Sequence, residues 1–453
     1  MNTQTSLNFR TNAAAAIKDS SLRKAMRNAT ETFGSKRTVA MASIDFEVLR
    51  EKASAIRMEV INNLPAYIEK FTSNATAAGA IVHRAVDAKS ANQIIAGILK
   101  DHDVKMVAKG KSMVSEETHL NAHLEEEGFE VVETDLGEYI IQLEGETPSH
   151  IIVPAIHKNR QQIGKLFHER LGMEYSEDPQ ALTKFARKVL REKFLTADAG
   201  ISGANFAIAE SGSLVLFTNE GNGRMVTSVP PLHIAILSVE KILPSLDELP
   251  TFMRLLPRSA TGQMLTSYVS ILTGNRKEGD VTGAQELHVV LLDNGRLEIL
   301  KGDCREILKC IRCGACMNVC PVYRTVGGHS YGWTYPGPMG IILTTLLTGM
   351  ANSYSLVDAS TLCGACNDAC PVKVPLKEMI LKQRVRRVKE GYSSTAVSLG
   401  MGLFGMAIKH PLMFSTGETL ASKFWSVMRT VGGENVAGRL PSPAKIPFSR
   451  RMS

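Results

Sequence analysis

The sequence predicts an α/β protein with a largely parallel sheet, followed by a helical segment that carries all of its cysteine. Short apolar runs rich in β-branched residues alternate with helix-like stretches from about residue 75 to 292. That alternation is the mark of layered α/β architecture. All 8 cysteines lie between Cys304 and Cys370, and the 303 residues before them hold none. The chain is 453 residues long, 44% hydrophobic and 21% charged. This composition suits a globular protein of about three domains and excludes a disordered or collagen-like chain. No apolar run reaches the ~18 residues of a spanning helix, so the expected compartment is the cytoplasm.

Residues 1–60 have an amphipathic helical pattern that ends near Leu64-Pro65. Ala80 to Val86 is a short strand-like run, and Asp87 is placed to cap a helix over Ala91 to Leu99. Val104 to Ala108 predicts a strand, and Ser112 to Glu127 a helix closed by Gly128. Phe129 to Val132, Tyr139 to Leu143 and His150 to Pro154 have strand-like composition. Helices are expected over 158–170 and 179–194, then a hairpin whose two apolar runs flank Glu210-Ser211-Gly212. Leu232 to Val239, Ser267 to Leu272 and Leu287 to Leu292 complete the strands. The expected divisions are an N-terminal helical segment (1–65), an α/β domain (66–300), a cysteine module (301–391) and a basic extension (392–453). Free of thiols and with its own strand pattern, the region 1–300 is expected to fold without the module.

The cysteines form two runs. Cys310-Ile-Arg-Cys313-Gly-Ala-Cys316-Met-Asn-Val-Cys320-Pro321 has the C-x2-C-x2-C-x3-C-P spacing of bacterial ferredoxins. Three thiolates on a tight loop face one cubane, and the fourth, a turn further on, faces another. Zinc needs only four ligands, usually in two pairs. A second copy, Cys363-Gly-Ala-Cys366-Asn-Asp-Ala-Cys370-Pro371, follows after a gap of 42 residues. Crossed ligation assigns Cys310, Cys313, Cys316 and Cys370 to one [4Fe–4S] cluster and Cys320, Cys363 and Cys366 to the other. The second copy has Ser360 where the first has Cys310. The fourth ligand of the second cluster is therefore open between Ser360 oxygen, Cys304, a partner's group and solvent, with a three-iron cluster as a further alternative. The long gap, with an apolar helix around Ile341 to Leu347, favours the α-helical variety of two-cluster ferredoxin over the compact β variety.

Residues 377–453 hold 13 Lys and Arg against 4 Asp and Glu, so the net charge of +7 is concentrated at this end. A basic extension on a near-neutral body suits an acidic partner or anionic surface. The apolar stretch Leu399 to Ile408 suits packing, a partner or a membrane surface.

Thr196-Ala-Asp-Ala-Gly-Ile-Ser-Gly-Ala-Asn-Phe-Ala-Ile-Ala-Glu-Ser-Gly-Ser-Leu-Val, with Asn219-Glu-Gly-Asn-Gly-Arg224, resembles the lactate-utilization (LUD) domain. Lys111-Ser-Met-Val-Ser-Glu-Glu117, Glu133-Thr-Asp-Leu-Gly-Glu-Tyr139 and Pro154-Ala-Ile-His157 extend the resemblance over roughly 70–390, to the lactate utilization protein B family. The resemblance implies a fold akin to ribose-5-phosphate isomerase and CoA transferases. It also implies an iron–sulfur subunit in a three-component system that oxidises L-lactate, with a cysteine-rich partner subunit and a second LUD-domain subunit. A peripheral position at the membrane, through the electron acceptor, is left open, and no nucleic acid is expected.

Five residues outside the cysteine runs are candidates for chemistry. Arg224 closes a glycine-rich loop suited to a carboxylate, or to a plain turn. Glu210 follows an apolar strand and suits an acid, base or nucleophile, or a structural carboxylate. His157, with Lys158, stands at an expected strand end, and His329 lies beside the first cysteine run. No G-x-G-x-x-G follows a strand, so the chain carries no sign of a dinucleotide or flavin site. The expected role is a one-electron relay, with a self-contained LUD enzyme or redox sensor as the alternative.

Overall fold

The structure, a computed structural model, describes residues 6–410, 414, 416 and 417. It opens with four helices: α1 (Phe9–Lys18), α2 (Ser20–Met41), α3 (Phe46–Asn62) and α4 (Leu64–Ala77). Asp19 and Asp45 cap α2 and α3 by accepting from backbone N–H groups, as short acidic side chains do at helix starts. The α/β region follows: β1 (Ile81–Ala85), α5 (Ala88–Asp101), β2 (Met106–Lys109), α6 (Met113–Glu117), α7 (Leu120–Glu126), β3 (Glu130–Glu133), α8 (Leu136–Glu144), α9 (Arg160–Leu171), α10 (Pro179–Thr196) and β4 (Ala199–Gly203). Next come β5 (Phe206–Ile208), β6 (Ser213–Thr218), α11 (Asn222–Ser228), β7 (Leu232–Ser238), β8 (Ile242–Leu243), α12 (Leu249–Ala260), β9 (Tyr268–Leu272), β10 (Glu286–Leu292) and α13 (Arg296–Lys301).

Six strands form one sheet in the order β1-β10-β7-β4-β2-β3, every pair parallel. A second sheet, β8-β5-β6-β9, contains the expected hairpin as the antiparallel pair β5–β6. The central strands β2, β4 and β7 are almost wholly buried, which is why β2 and β7 appear in the sequence as apolar runs, whereas β4, Ala-Gly-Ile-Ser-Gly, was not foreseen as a strand. Asp87 does cap α5, in a reciprocal pair with Ser90. Gly200 lets α11 lie on the sheet, since a Cβ there would stand 1.9 Å from the Val226 carbonyl oxygen.

Three expectations differ. Tyr139 to Leu143 lies inside α8, which Asp135 caps and Gly145 closes. His150 to Pro154 is a loop. Ser112 to Glu127 is two short helices, because His119 takes a left-handed conformation between them.

The cysteine module consists of α14 (Ala315–Asn318), α15 (Pro321–Val326), α16 (Gly337–Leu347), α17 (Ala365–Ala369) and α18 (Leu376–Lys389), with several 3-10 turns. It does not have a core of its own. One cluster of buried side chains runs from Phe9, Met26 and Ile56 through Phe206 and Phe252 to Cys316, Tyr323 and Ile380. Everything up to Val385 forms one compact unit, and a second begins at Arg386. The expected autonomy of residues 1–300 is thus at odds with a core drawn from both sides of that boundary. The second unit contains α19 (Thr395–Lys409), on which Leu399, Met401, Leu403, Phe404, Met406 and Ile408 are exposed. Most of the basic extension beyond it lies outside the described residues.

Candidate functional site

The two cysteine runs fold as matching loops, each followed by a short helix, α14 or α17. Gly314 and Gly364 take left-handed conformations just before these helices, with φ of 77° and 88°. Glycine meets that need without steric penalty. One cavity is lined by Cys310, Cys313, Cys316 and Cys370 together with Ile311, Met339 and Leu376. The thiols of Cys310, Cys313 and Cys370 all bear on Cys316, whose own ionisation burial opposes first. Cys366 belongs to a different group: burial pushes its thiol up to about 12, and Cys320 and Cys363 add to the rise. Cys363 is the exposed member, and the N–H of Ala365 holds its thiol below the usual range.

The first cavity fits a bound cluster. Buried thiols with raised pKa values stay protonated unless a metal takes the proton's place. Cationic side chains stand ready around the first group. Arg37 lies beside Cys313 and Cys370 and donates to the Ala369 carbonyl at 3.1 Å. Arg50 donates to the carbonyls of Asn367 and Asp368. Cys304 stands elsewhere: its sulfur accepts from Gln383 at 3.4 Å, and its charged neighbours are Asp303 and Lys382.

His150 pins the α/β region to the first loop. Its Nδ1 accepts from the N–H groups of Ile152 and Val153, so Nε2 carries the proton and donates to Asn318 Oδ1 at 3.1 Å. Burial pushes this imidazole down to about 3. His157 and His329, flagged separately in the sequence, meet with ring centroids 4.6 Å apart. His157 pairs with Glu146 at 2.7 Å, and Lys158 reaches the same carboxylate at 2.6 Å. Arg224 lies over the Tyr268 ring, 5.6 Å from its centroid, and Asn219 is engaged by Gln263 and Ser267. Glu210 sits exposed at the β5–β6 turn, its carbonyl held by Asn74. The structure does not bring Glu210 and Arg224 into one described contact.

A second polar centre escaped the sequence reading. It lies at the C-terminal ends of β2 and β3, where ligands bind in open parallel sheets. Lys109, fully buried, faces Glu133 at 2.5 Å and Glu116 at 3.4 Å. Burial opposes its charge, but the two carboxylates outweigh that and raise its pKa. Glu138 is buried with Oε1 unpartnered, and burial pushes it well above the ordinary carboxylate range. Lys111 donates to the Ile152 carbonyl. Burial and Asp135 both raise Glu220, while Lys111 opposes them. Lys111, Glu116, Glu133 and Glu138 lie in the two segments that carried the family resemblance, but nothing in the sequence showed that they meet Lys109 at adjoining strand ends.

A parallel six-stranded sheet joined to paired cysteine loops defines a LUD-type protein with a two-cluster ferredoxin module. The family profile described as LUD domain matches residues 68–292, and that of the 4Fe-4S dicluster domain matches residues 306–374. The chain is 46% identical to "Lactate utilization protein B" of Shouchella clausii, over 95% of this chain and 94% of the relative. It is 45% identical to the protein of the same name in Bacillus licheniformis, over 91% and 87%. It is also 43% identical to "Uncharacterized electron transport protein YkgF" of Escherichia coli, over 90% and 86%. A DUF162 family protein from Deinococcus radiodurans matches 51% of the chain and 98% of its own length, at 15% identity and a TM-score of 0.29. The chain belongs to the lactate utilization protein B family and carries 4Fe-4S clusters. No described helix is long and apolar enough to cross a membrane.

Proposed function

We propose that this chain is the iron–sulfur electron-transfer subunit of a multi-component system that oxidises L-lactate to pyruvate. The observation that carries the reading is the separation of seven cysteines into two groups, in a chain so similar to proteins named for lactate utilization. Cys310, Cys313, Cys316 and Cys370 hold one cluster, and Cys320, Cys363 and Cys366 hold the other. When bound, such clusters supply one-electron storage and transfer. The residues of this chain do the rest. Ile311, Met339 and Leu376 keep water from the first cavity. Arg37, Arg50 and Arg312 offset the negative charge of four thiolates. The exposed Cys363 puts the second site within reach of a partner.

Lactate oxidation removes two electrons, and that step normally needs a centre able to take both. A cysteine-rich subunit and a second LUD-domain subunit are the proposed partners for it. The purified chain alone is expected to show negligible lactate-to-pyruvate turnover with an artificial acceptor. Activity is expected when the partners are added. Sustained turnover by the single chain would overturn the relay reading.

One observation favours a second reading, a LUD domain with chemistry of its own. It is the centre formed by Lys109, Glu116, Glu133 and Glu138 at the strand ends. Loss of turnover in a Glu138→Gln variant of the assembled system, with cluster content intact, would favour that reading.

A further inference from the structure

We propose that Ser360 Oγ is the fourth ligand of the second cluster, an inference that rests on the two-cluster reading above. Two loops of the cysteine module share one backbone conformation. The first runs Cys310-Ile311-Arg312-Cys313-Gly314-Ala315-Cys316, the second Ser360-Thr361-Leu362-Cys363-Gly364-Ala365-Cys366. Their third residues, Arg312 and Leu362, are both left-handed, with φ of 58° and 56°. Bulky residues rarely adopt that conformation, which carries a penalty of roughly 1 kcal/mol or more. Only 6 non-glycine residues among those described do so. Two of the six occupy the same place in the two loops. The fifth residues are the left-handed Gly314 and Gly364, and a helix starts at each sixth residue.

The side chain of the first residue is fixed in the same way in both loops. The N–H of Arg312 donates to Cys310 Sγ at 3.4 Å. The N–H of Leu362 donates to Ser360 Oγ at 3.1 Å. The serine oxygen therefore occupies, in its loop, the position of a ligating sulfur in the other. Arg384 fixes the serine backbone, donating to the Ser360 carbonyl at 2.6 Å and to that of Val357 at 2.8 Å. The rival within the chain, Cys304, is engaged with Gln383.

The chemistry balances without a redox partner. The hydroxyl O–H bond breaks, its proton leaves to solvent, and an O–Fe bond forms, with no change in electron count. An alkoxide is a harder donor than a thiolate and favours ferric iron, so the second cluster becomes harder to reduce than an all-cysteine equivalent.

The test uses the full chain, purified anaerobically and compared as wild type, Ser360→Ala and Ser360→Cys by iron analysis, EPR and Mössbauer spectroscopy. Ser360→Ala is expected to lose about one of roughly eight iron atoms and to show a three-iron signal when oxidised. Ser360→Cys is expected to keep all its iron, with the midpoint potential of one cluster shifted upward. If Ser360→Ala does not fold, reduced wild type in oxygen-17 water still decides: a serine ligand gives no broadening from solvent oxygen. Broadening, or a Ser360→Ala protein with unchanged iron and spectra, would overturn the proposal and leave the two-cluster reading standing. Absence of clusters from the wild type would overturn both, and would be seen before any substitution is made.

Discussion

Arg312 Nη2 stands 3.0 Å from Glu240 Oε1, with both side chains buried, and this pair joins a cysteine loop to the sheet domain. Glu240 also faces Arg296, which in turn makes a two-pronged bond to Glu117 at 2.7 and 2.8 Å. Tyr335 donates to the same Glu117 at 2.6 Å, and Arg312 lies over the Tyr335 ring. Two carboxylates and two guanidiniums thus neutralise one another out of contact with water. Burial opposes the charge on Glu240, but the two arginines outweigh it and hold the group at about 2.

Glu240→Gln should leave two buried guanidiniums short of a counter-charge. Removing one partner of a buried pair typically destabilises by about 3–5 kcal/mol. Urea unfolding of the cluster-loaded protein checks this. A change below about 1 kcal/mol would mean that water or another anion reaches the site.

Single cysteine substitutions should divide into two classes. Cys316→Ala and Cys366→Ala are each expected to remove one cluster, about four iron atoms per chain. Cys304→Ala should leave the iron content unchanged, since its sulfur contacts Gln383. Iron and sulfide analysis with visible absorption distinguishes the classes, and iron loss in Cys304→Ala would contradict the assignment.

His150 makes stability depend on pH. Its folded pKa of about 3 lies below the unfolded value near 6.5. Between the two the unfolded chain binds a proton that the folded chain refuses. The stabilisation is fully present above about pH 6.5 and is lost as pH falls toward 3. The stability advantage of wild type over His150→Asn, from denaturant midpoints, should therefore shrink on acidification. A constant difference would show that the imidazole takes up its proton in the folded state.

A chain ending at Gly302 should not give a stable fold. The truncation strips Leu308, Met317, Tyr323 and Ile380 from the core that Phe9, Met26 and Phe252 share. Circular dichroism on heating is expected to show no cooperative transition. A sharp melt would restore the independent domain that the distribution of cysteines implied.

What the sequence revealed follows from the range of the interactions involved. β2, β7 and β10 were legible because burial on both faces writes itself as a local apolar run. The cysteine ligands were legible because spacing within a loop is local chemistry. Tyr139 to Leu143 misled because its apolar content suits either element, although Asp135 and Gly145 were the helix signals to weigh. His150 to Pro154 took an irregular course because its backbone serves a distant partner, the Lys111 ammonium, and its own histidine ring. The Lys109–Glu133 pair needed the strand order before the two residues became neighbours. Shared packing between Phe9 and the cysteine loops left no periodic trace at all.

That shared packing has a consequence for the life of the protein in an oxygen-exposed cell. A cluster that binds the folded chain stabilises it by linkage. Here the linkage reaches the whole body up to Val385, because the cysteine loops and the N-terminal helices belong to one core. Oxidative loss of iron is therefore expected to loosen α1 and α2 along with the ligand loops. Loss of the clusters should then expose the N-terminal helices to proteases, so cluster occupancy is expected to influence how long each copy survives.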